Sequence, residues 1–148
     1  MLVTGFMMPK DKVFQCSEWD SIEKVLSVII EDKVSAVVVM DKDDNNKAVG
    51  LITKSDLVVA YSQGISLHQK VGLIMVHNLK TVPHTAQRDQ VAKLLEANHF
   101  NHAIVVDTAT GNFMGIVSAW DIAAECARDA RAWPWSRTED GKVHTSAH

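Results

Sequence analysis

The sequence contains an internal repeat, and this feature constrains the fold more than any other. Two pairs of segments align: 35–41 with 101–107 at a displacement of 66 positions, and 50–57 with 115–122 at a displacement of 65. In the second pair Thr53 aligns with Ser118, and Asp56 aligns with Asp121. Self-similarity at a fixed period marks a chain built from copies of one supersecondary unit that cannot bury its apolar face alone. We therefore expect two equivalent halves that pack together about a pseudo-twofold axis.

Each copy predicts the same order of secondary structure, β-α-β-β-α, which places the chain in the α/β (α+β) class. Apolar residues at helical spacing follow Asp20 and Ala86, and a last helix begins after Thr53 and after Ser118. Asp20, with Glu23 three residues later, also predicts a capping box at the start of the first helix. β-branched and extended runs predict the strands, which are 13–16, 36–40, 48–53, 80–82, 103–106 and 113–117.

The repeat also predicts how the chain is divided. The first motif is expected at 1–64 and the second at 65–132, because Gly64 suits the residue that follows a helix. The remaining segment, 133–148, is polar and has no hydrophobic periodicity. We expect this tail to be an appendage or a disordered segment.

Composition narrows the class of partner and the compartment. Lys and Arg number 15 against 18 Asp and Glu, a formal charge of −3, and this balance argues against a nucleic-acid partner. The longest apolar runs, 36–40 and 57–61, fall far short of the ~20 residues that cross a bilayer, so no membrane insertion is expected. No basic segment followed by a long apolar one begins the chain. Cys16 and Cys126 form no CxxC pair, and we expect reduced thiols in an intracellular protein, with a cytoplasmic location favoured and an organelle still open.

The residues that repeat with the motif have chemistry of their own. A carboxylate in the first turn of a helix, such as Asp56 or Asp121, can accept hydrogen bonds from both hydroxyls of a ribose. The hydroxyl of Thr53 or Ser118 lies at the helix N-terminus, where free N–H groups favour a phosphate. The same pattern also caps a helix, so a purely structural role is the alternative.

The two Gly-apolar-apolar-[Thr/Ser]-x-x-Asp segments, each preceded by a β-branched strand, resemble those of the CBS (cystathionine β-synthase) domain family. The resemblance covers roughly residues 4–127. It implies a tandem pair, called a Bateman module, that binds AMP, ADP, ATP or an S-adenosyl compound in clefts between the copies. It further implies regulation of a partner enzyme or transporter. The chain has no room for such an enzyme, and we expect a stand-alone module that acts in trans.

The resemblance also assigns the apolar slots for the adenine. The slot that accompanies Asp121 is expected from the first copy, and consists of Val13, Val34 and Ala36. The slot that accompanies Asp56 is expected from the second copy, and consists of Leu79, Phe100 and His102. Lys54 is placed to help a phosphate at the first site, where the second copy has an alanine and a tryptophan instead. Some members of the family bind nothing in one cleft or both, so an interaction or scaffold module with empty clefts remains the alternative function.

Other chemistries are not supported by the sequence. The segment 41–46 begins like a calcium loop, but Asn46 stands where the loop needs glycine and Ile52 where it needs glutamate. His99 and His102 have no third metal ligand nearby. No nucleophile, P-loop or paired-carboxylate motif is present, and we expect no catalysis and no catalytic cofactor.

The last helix of each copy has more apolar surface than one inward face needs. These residues are 57–61 in the first copy and 122–127 in the second, and Val28 and Ile30 add to the excess. Apolar patches of this kind usually mark an interface. Together with the habit of the family, they predict a symmetric homodimer. The alternative is that packing between the two halves of one chain already covers these residues.

Overall fold

The structure is a computed structural model and describes residues 1–98 and 101–129. Seven strands and four α-helices lie in these residues. After the first strand, the elements follow the order β-α-β-β-α twice, which confirms the predicted fold class. The strands are β1 (Met8–Pro9), β2 (Gln15–Ser17), β3 (Ala36–Met40), β4 (Ala48–Thr53), β5 (Thr81–Pro83), β6 (His102–Val106) and β7 (Phe113–Ser118). The helices are α1 (Ile22–Glu31), α2 (Lys54–Ser62), α3 (Arg88–Asn98) and α4 (Ala119–Arg128).

The strands form two sheets with the same internal arrangement. In the first sheet β2 is parallel to β3, and β3 is antiparallel to β4. In the second sheet β5 is parallel to β6, and β6 is antiparallel to β7. Each antiparallel ladder has its register shift at the equivalent place, between Val39 and Met40 and between Val105 and Val106. The repeat seen in the sequence is therefore a repeat of strand register as well.

The second sheet has one strand that the periodicity did not predict. β1 lies antiparallel to β7 at the edge of this sheet, with Pro9 opposite Gly115. Just before it, Val3 is fully buried in the core of the second half, and its N–H donates to the carbonyl of Ala86 at 2.8 Å. The N-terminal segment thus packs on the half that comes later in the chain.

The connector between the copies packs in the core of the first half, as the N-terminal segment packs in the core of the second. Val71 is fully buried in the core of the first half, and its N–H donates to the carbonyl of Asp20 at 2.8 Å. Met75 packs in the same core. Each half is consequently completed by the segment that leads into the other copy, which ties the two halves together.

The first helix begins differently from its prediction. Ser21 is the cap of α1, and its hydroxyl accepts a hydrogen bond from the N–H of Lys24 at 3.2 Å. The carboxylate of Asp20 instead accepts from the N–H of Ser17 at 2.9 Å, closing the turn after β2. The predicted capping box at Asp20 is therefore wrong by one residue, because the turn competes for the same side chain. Of the predicted apolar stripe Ile22, Val25, Leu26 and Ile29, all are buried except Leu26, which is partly buried.

A third core joins the two sheets across the pseudo-twofold axis. Its buried members come from both copies: Val13, Val38, Met40, Leu51, Ile104, Phe113 and Ile116. Ala36 and Leu79 pack at its edge. Three of the predicted slot residues, Val13, Ala36 and Leu79, therefore lie in or beside one shared apolar core. Within the described residues, no helix has both the length and the apolar character to cross a bilayer.

Candidate functional site

A cleft of about 460 Å³ lies between the two halves of the molecule, and we call it the Asp121 cleft. One wall comes from the first copy, through 12–14 and 33–36, and the other comes from β6, β7 and the start of α4. It brings together five residues that the sequence placed in one site, namely Val13, Val34, Ala36, Ser118 and Asp121. These residues are far apart in the chain, so their convergence depends on how the two copies pack.

The polar end of the cleft is the first turn of α4. The N–H of Ser118 donates to Oδ2 of Asp121 at 2.8 Å, and the N–H of Asp121 donates to Oγ of Ser118 at 3.1 Å. This reciprocal capping box fixes the orientation of the carboxylate. Oδ1 of Asp121 makes no hydrogen bond to any residue in 1–98 or 101–129, and it is free to accept from a ligand. The capping role and a binding role are therefore compatible in one side chain.

His102 also lines the Asp121 cleft, whereas the sequence placed it at the site of Asp56. It lies directly opposite Ser118 in the β6–β7 ladder, and directly opposite residues of an antiparallel pair share a face. This pairing is the physical reason for the difference. Burial lowers the pKa of His102 from its usual 6.5, and the nearby charge of Asp121 opposes the shift only in part. The imidazole is therefore neutral at pH 7 and can both donate and accept a hydrogen bond.

The equivalent turn of the first copy has the same capping box, with one further hydrogen bond from the Thr53 hydroxyl. Both the N–H and the hydroxyl of Thr53 donate to Oδ2 of Asp56, at 2.8 and 3.0 Å. The hydroxyl proton of Thr53 is thus used within the turn, whereas Ser118 uses its oxygen only as an acceptor from a backbone N–H. Leu79 packs against the shared core, as its equivalence to Val13 predicts. Phe100, the remaining residue expected there, lies outside the described residues.

The sequence predicted Lys54 near a phosphate, and the structure places it in a different groove. It lines a separate groove of about 640 Å³ on the outer surface, between α1 and α2, and we call this the α1/α2 groove. The other lining residues are apolar or aromatic: Ile22, Leu26, Ile29, Ile30, Leu57, Val58, Ala60, Tyr61, Ile65 and Leu67. Lys54 is the first residue of α2 and is exposed.

The apolar excess predicted for the helices is concentrated in the first copy. Val58 is 66% exposed, Tyr61 is 88% exposed, and Ile30 of α1 is 64% exposed. In α4 the predicted Ile122 and Cys126 are partly buried. The two copies therefore do not present equivalent outer faces, although their backbones are equivalent.

Among the lining residues of the Asp121 cleft that the sequence did not predict, three carry a charge or an indole ring. Lys12 and Lys33 are exposed at its first wall, and Trp120, 75% exposed, lies on the other. Each is a chain neighbour, or near neighbour, of a residue that was predicted: Val13, Val34 and Asp121. Their places next to predicted residues are the one signal in the sequence, but exposed lysines beside an apolar strand are too common to be predicted as site residues.

The model of the CBS domain family matches this chain twice, over residues 6–63 and 71–128. The chain belongs to the CBS domain family. The two matches correspond to the two copies whose sheets and helices are described above, and the protein is a CBS pair. No curated protein matches it.

Solved structures share the fold of this CBS pair at low sequence identity. CBSX2 in complex with AMP superimposes with a TM-score of 0.75 at 23% identity, over 86% of this chain and 96% of that one. A CBS domain protein from Pyrobaculum aerophilum complexed with AMP gives 0.74 at 20% identity, over 87% and 100%. The CBS domain of a bacterial CNNM/CorC family Mg²⁺ transporter in complex with ATP gives 0.76 at 24% identity, over 86% and 87%. The tandem architecture is therefore common to all four.

Proposed function

We propose that this CBS pair is a regulatory module that binds an adenine nucleotide in the Asp121 cleft and conveys its occupancy to a partner enzyme or transporter. The observation that carries the proposal is the unpaired Oδ1 of Asp121 at the end of an apolar slot made by Val13, Val34 and Ala36. The volume of the cleft, about 460 Å³, lies in the range of small-molecule sites. Similar folds crystallised with AMP and ATP support the same class of ligand.

The chemistry of the cleft suits the three parts of an adenine nucleotide. The apolar slot accepts the flat adenine ring, and Oδ1 of Asp121 accepts from the ribose hydroxyls through charge-assisted hydrogen bonds. The N-terminus of α4 favours a phosphate through the helix dipole, while the N–H groups of Ala119 and Asp121 already donate to Asn101 and Ser118. Neutral His102 adds a donor and an acceptor at the wall, without a charge that would repel either end of the ligand. These are binding roles, and we assign the protein no catalytic one.

We propose a weaker nucleotide site at Thr53 and Asp56 of the first copy, the equivalent of the Asp121 cleft, and we call it the Asp56 cleft. The Thr53 hydroxyl already donates to Oδ2 of Asp56, so it offers no proton to a phosphate, although Oδ1 of Asp56 accepts from no described residue, like Oδ1 of Asp121. Lys54 lines the α1/α2 groove. One bound nucleotide per chain is therefore the expected stoichiometry at moderate ligand concentration.

A thermal-shift panel of AMP, ADP, ATP and S-adenosylmethionine on the purified chain tests the function. A ligand at a hundredfold excess over its Kd stabilises the folded state by ~2.7 kcal/mol, a rise in Tm of roughly 5–11 °C. Trp120 supplies a second readout, because a ligand in the cleft changes the surroundings of its exposed indole and hence its fluorescence. Trp120→Phe is the control, which should keep the thermal shift and lose the fluorescence change. No thermal shift with any of the four compounds at millimolar concentration would contradict nucleotide binding.

The alternative function is that of an interaction module, and the exposed α1/α2 groove is the observation that favours it. A groove of about 640 Å³ lined by apolar residues suits a protein surface better than water. We propose that a second copy of the chain covers this groove in a symmetric homodimer, in which α1 and α2 meet their own copies. Light scattering at micromolar concentration should give twice 16.3 kDa, and the double variant Val58→Glu, Tyr61→Glu should return the monomer mass. A wild-type mass of 16.3 kDa would rule the dimer out.

We also propose an intracellular, cytoplasmic setting. Cys16 and Cys126 are both free thiols, as expected in a reducing compartment. The nucleotides for which the cleft is suited are abundant there, which makes a sensor of their concentration useful to a partner.

A further inference from the structure

The charges that line the Asp121 cleft are unbalanced. Lys12 and Lys33 stand against the single carboxylate of Asp121, and His102 is neutral at pH 7 because burial lowers its pKa. Neither lysine has an ion-pair partner among residues 1–98 and 101–129. The cleft is thus locally positive in a chain whose net charge is −3. Two unneutralised lysines at one opening attract an anion.

Lys33 has a backbone conformation that a lysine rarely adopts. Its φ is +54°, and it follows the C-cap Asp32 of α1, the position where glycine is strongly preferred. At the other two described positions with positive φ the chain has glycine, Gly64 and Gly111. Gly64 occupies the same position after α2 as Lys33 does after α1. Left-handed backbone at a non-glycine residue has an energetic cost and concentrates at functional sites. At this helix end the chain has a lysine where a glycine would be less strained.

The two clefts do not share these cations. The displacement of 66 positions places Asn78 at the equivalent of Lys12 and His99 at the equivalent of Lys33. Lys54, the cation that the sequence assigned to the first cleft, lines the α1/α2 groove instead. A lysine pair is therefore a property of the Asp121 cleft and not of the repeat.

We propose that Lys12 and Lys33 make the Asp121 cleft selective for the phosphate chain of a nucleotide, so that affinity rises from adenosine to AMP to ATP and S-adenosyl sulfonium compounds are rejected. This inference rests on the proposed function, since it concerns the ligand of the same cleft. A sulfonium compound carries a positive charge at the 5′ position, where a nucleotide carries its phosphates, and two lysines repel it. Each added phosphate adds negative charge, which the two ammonium groups attract, and this strengthens binding.

Isothermal titration calorimetry on the full chain with adenosine, AMP, ATP and S-adenosylmethionine tests the charge selectivity. Lys33→Gly should weaken ATP binding about tenfold, equivalent to about 1.4 kcal/mol, and leave adenosine binding unchanged. Its Tm should equal or exceed that of the wild type, because glycine fits the positive φ without strain. Lys12→Ala should lower ATP affinity in the same way. Lys93→Ala is the matched control, since Lys93 is exposed on α3 and lies outside the cleft, and it should bind ATP as the wild type does.

The possible results separate this inference from the proposed function. Equal affinity of the wild type for adenosine, ATP and S-adenosylmethionine would overturn the charge selectivity and leave nucleotide-class binding intact. Unchanged ATP affinity in both Lys33→Gly and Lys12→Ala would overturn it as well. If none of the four compounds binds, the proposed function fails, and this inference fails with it. A steeper loss of affinity with added salt for ATP than for AMP would support it.

Discussion

Replacing Gly115 with alanine is expected to displace β1 from the edge of the second sheet. Gly115 lies in β7 opposite Pro9, and a Cβ built on it would be 2.5 Å from the carbonyl oxygen of Met8 and 2.8 Å from Sδ of Met7. Carbon and oxygen approach no closer than about 3.3 Å even in favourable C–H···O contacts, so β1 must move by about 0.8 Å. The obstacle is a backbone atom, which cannot turn away as a side chain can.

The magnitude follows from two opposing effects. Overpacking of this kind costs about 1–3 kcal/mol. Alanine regains about 0.5–1 kcal/mol at a strand position, because it loses less backbone entropy on folding than glycine does. We place the cost in the upper part of its range, since backbone must shift, and expect a net loss of about 1–2 kcal/mol in the free energy of unfolding. For a chain of this size the corresponding fall in Tm is roughly 2–8 °C.

The matched control is Gly50→Ala, the equivalent glycine of the first copy. A Cβ on Gly50 would meet the side chain of Met75, nearest its Sδ and with Cγ at 2.7 Å, and these outer atoms can move by a change of rotamer. Thermal melts followed by circular dichroism should therefore show a smaller loss for Gly50→Ala. Gly115→Ala should also weaken nucleotide binding, because Met8 lines the Asp121 cleft. A Gly115→Ala variant as stable as the wild type, or a Gly50→Ala variant that loses as much stability, would contradict this prediction.

Three further predictions concern single side chains. Asp121→Ala should weaken nucleotide binding, measured by calorimetry, by ~1.5–3 kcal/mol for each strong hydrogen bond lost. Thermal melts should show that it costs the fold only ~1 kcal/mol, and Asp56→Ala should have the smaller effect on binding. An unfolded Asp121→Ala chain would mean that the residue is a structural cap. Because burial lowers the pKa of His102 below 6.5, the unfolded chain binds this proton at a higher pH than the folded chain does, so stability should fall as the pH decreases below 6.5. Urea unfolding between pH 7.5 and 5.5 should show this fall in the wild type and a smaller one in His102→Asn, and identical pH profiles would contradict it. Burial, together with the charge of Asp20, raises the pKa of Cys16 to about 12, so a thiol reagent at pH 8 should label Cys126 first, and equal labelling rates would exclude that order.

The sequence by itself determined the repeated elements and the two aspartates. Apolar periodicity is a local property, and it identified the stripe of Ile22, Val25 and Ile29 and the paired strands of each copy. The Gly-apolar-apolar-[Thr/Ser]-x-x-Asp segments placed Asp56 and Asp121 in the first turn of a helix because N-capping is a local interaction as well. The slot residues Val13, Val34 and Ala36 came from resemblance, and the structure brings them to one cleft with Asp121.

The tertiary structure decided which residues meet across the copies. β1 and the turn at Val71 have no periodicity long enough to predict, and their places follow from the exchange of leading segments that closes each core. The position of His102 depends on its ladder partner Ser118, and that of Lys54 depends on which face of α2 is turned outward. The conformation of Lys33 depends on how α1 ends before β3. Such contacts join residues distant in sequence, and a pattern that reports only local spacing contains no information about them.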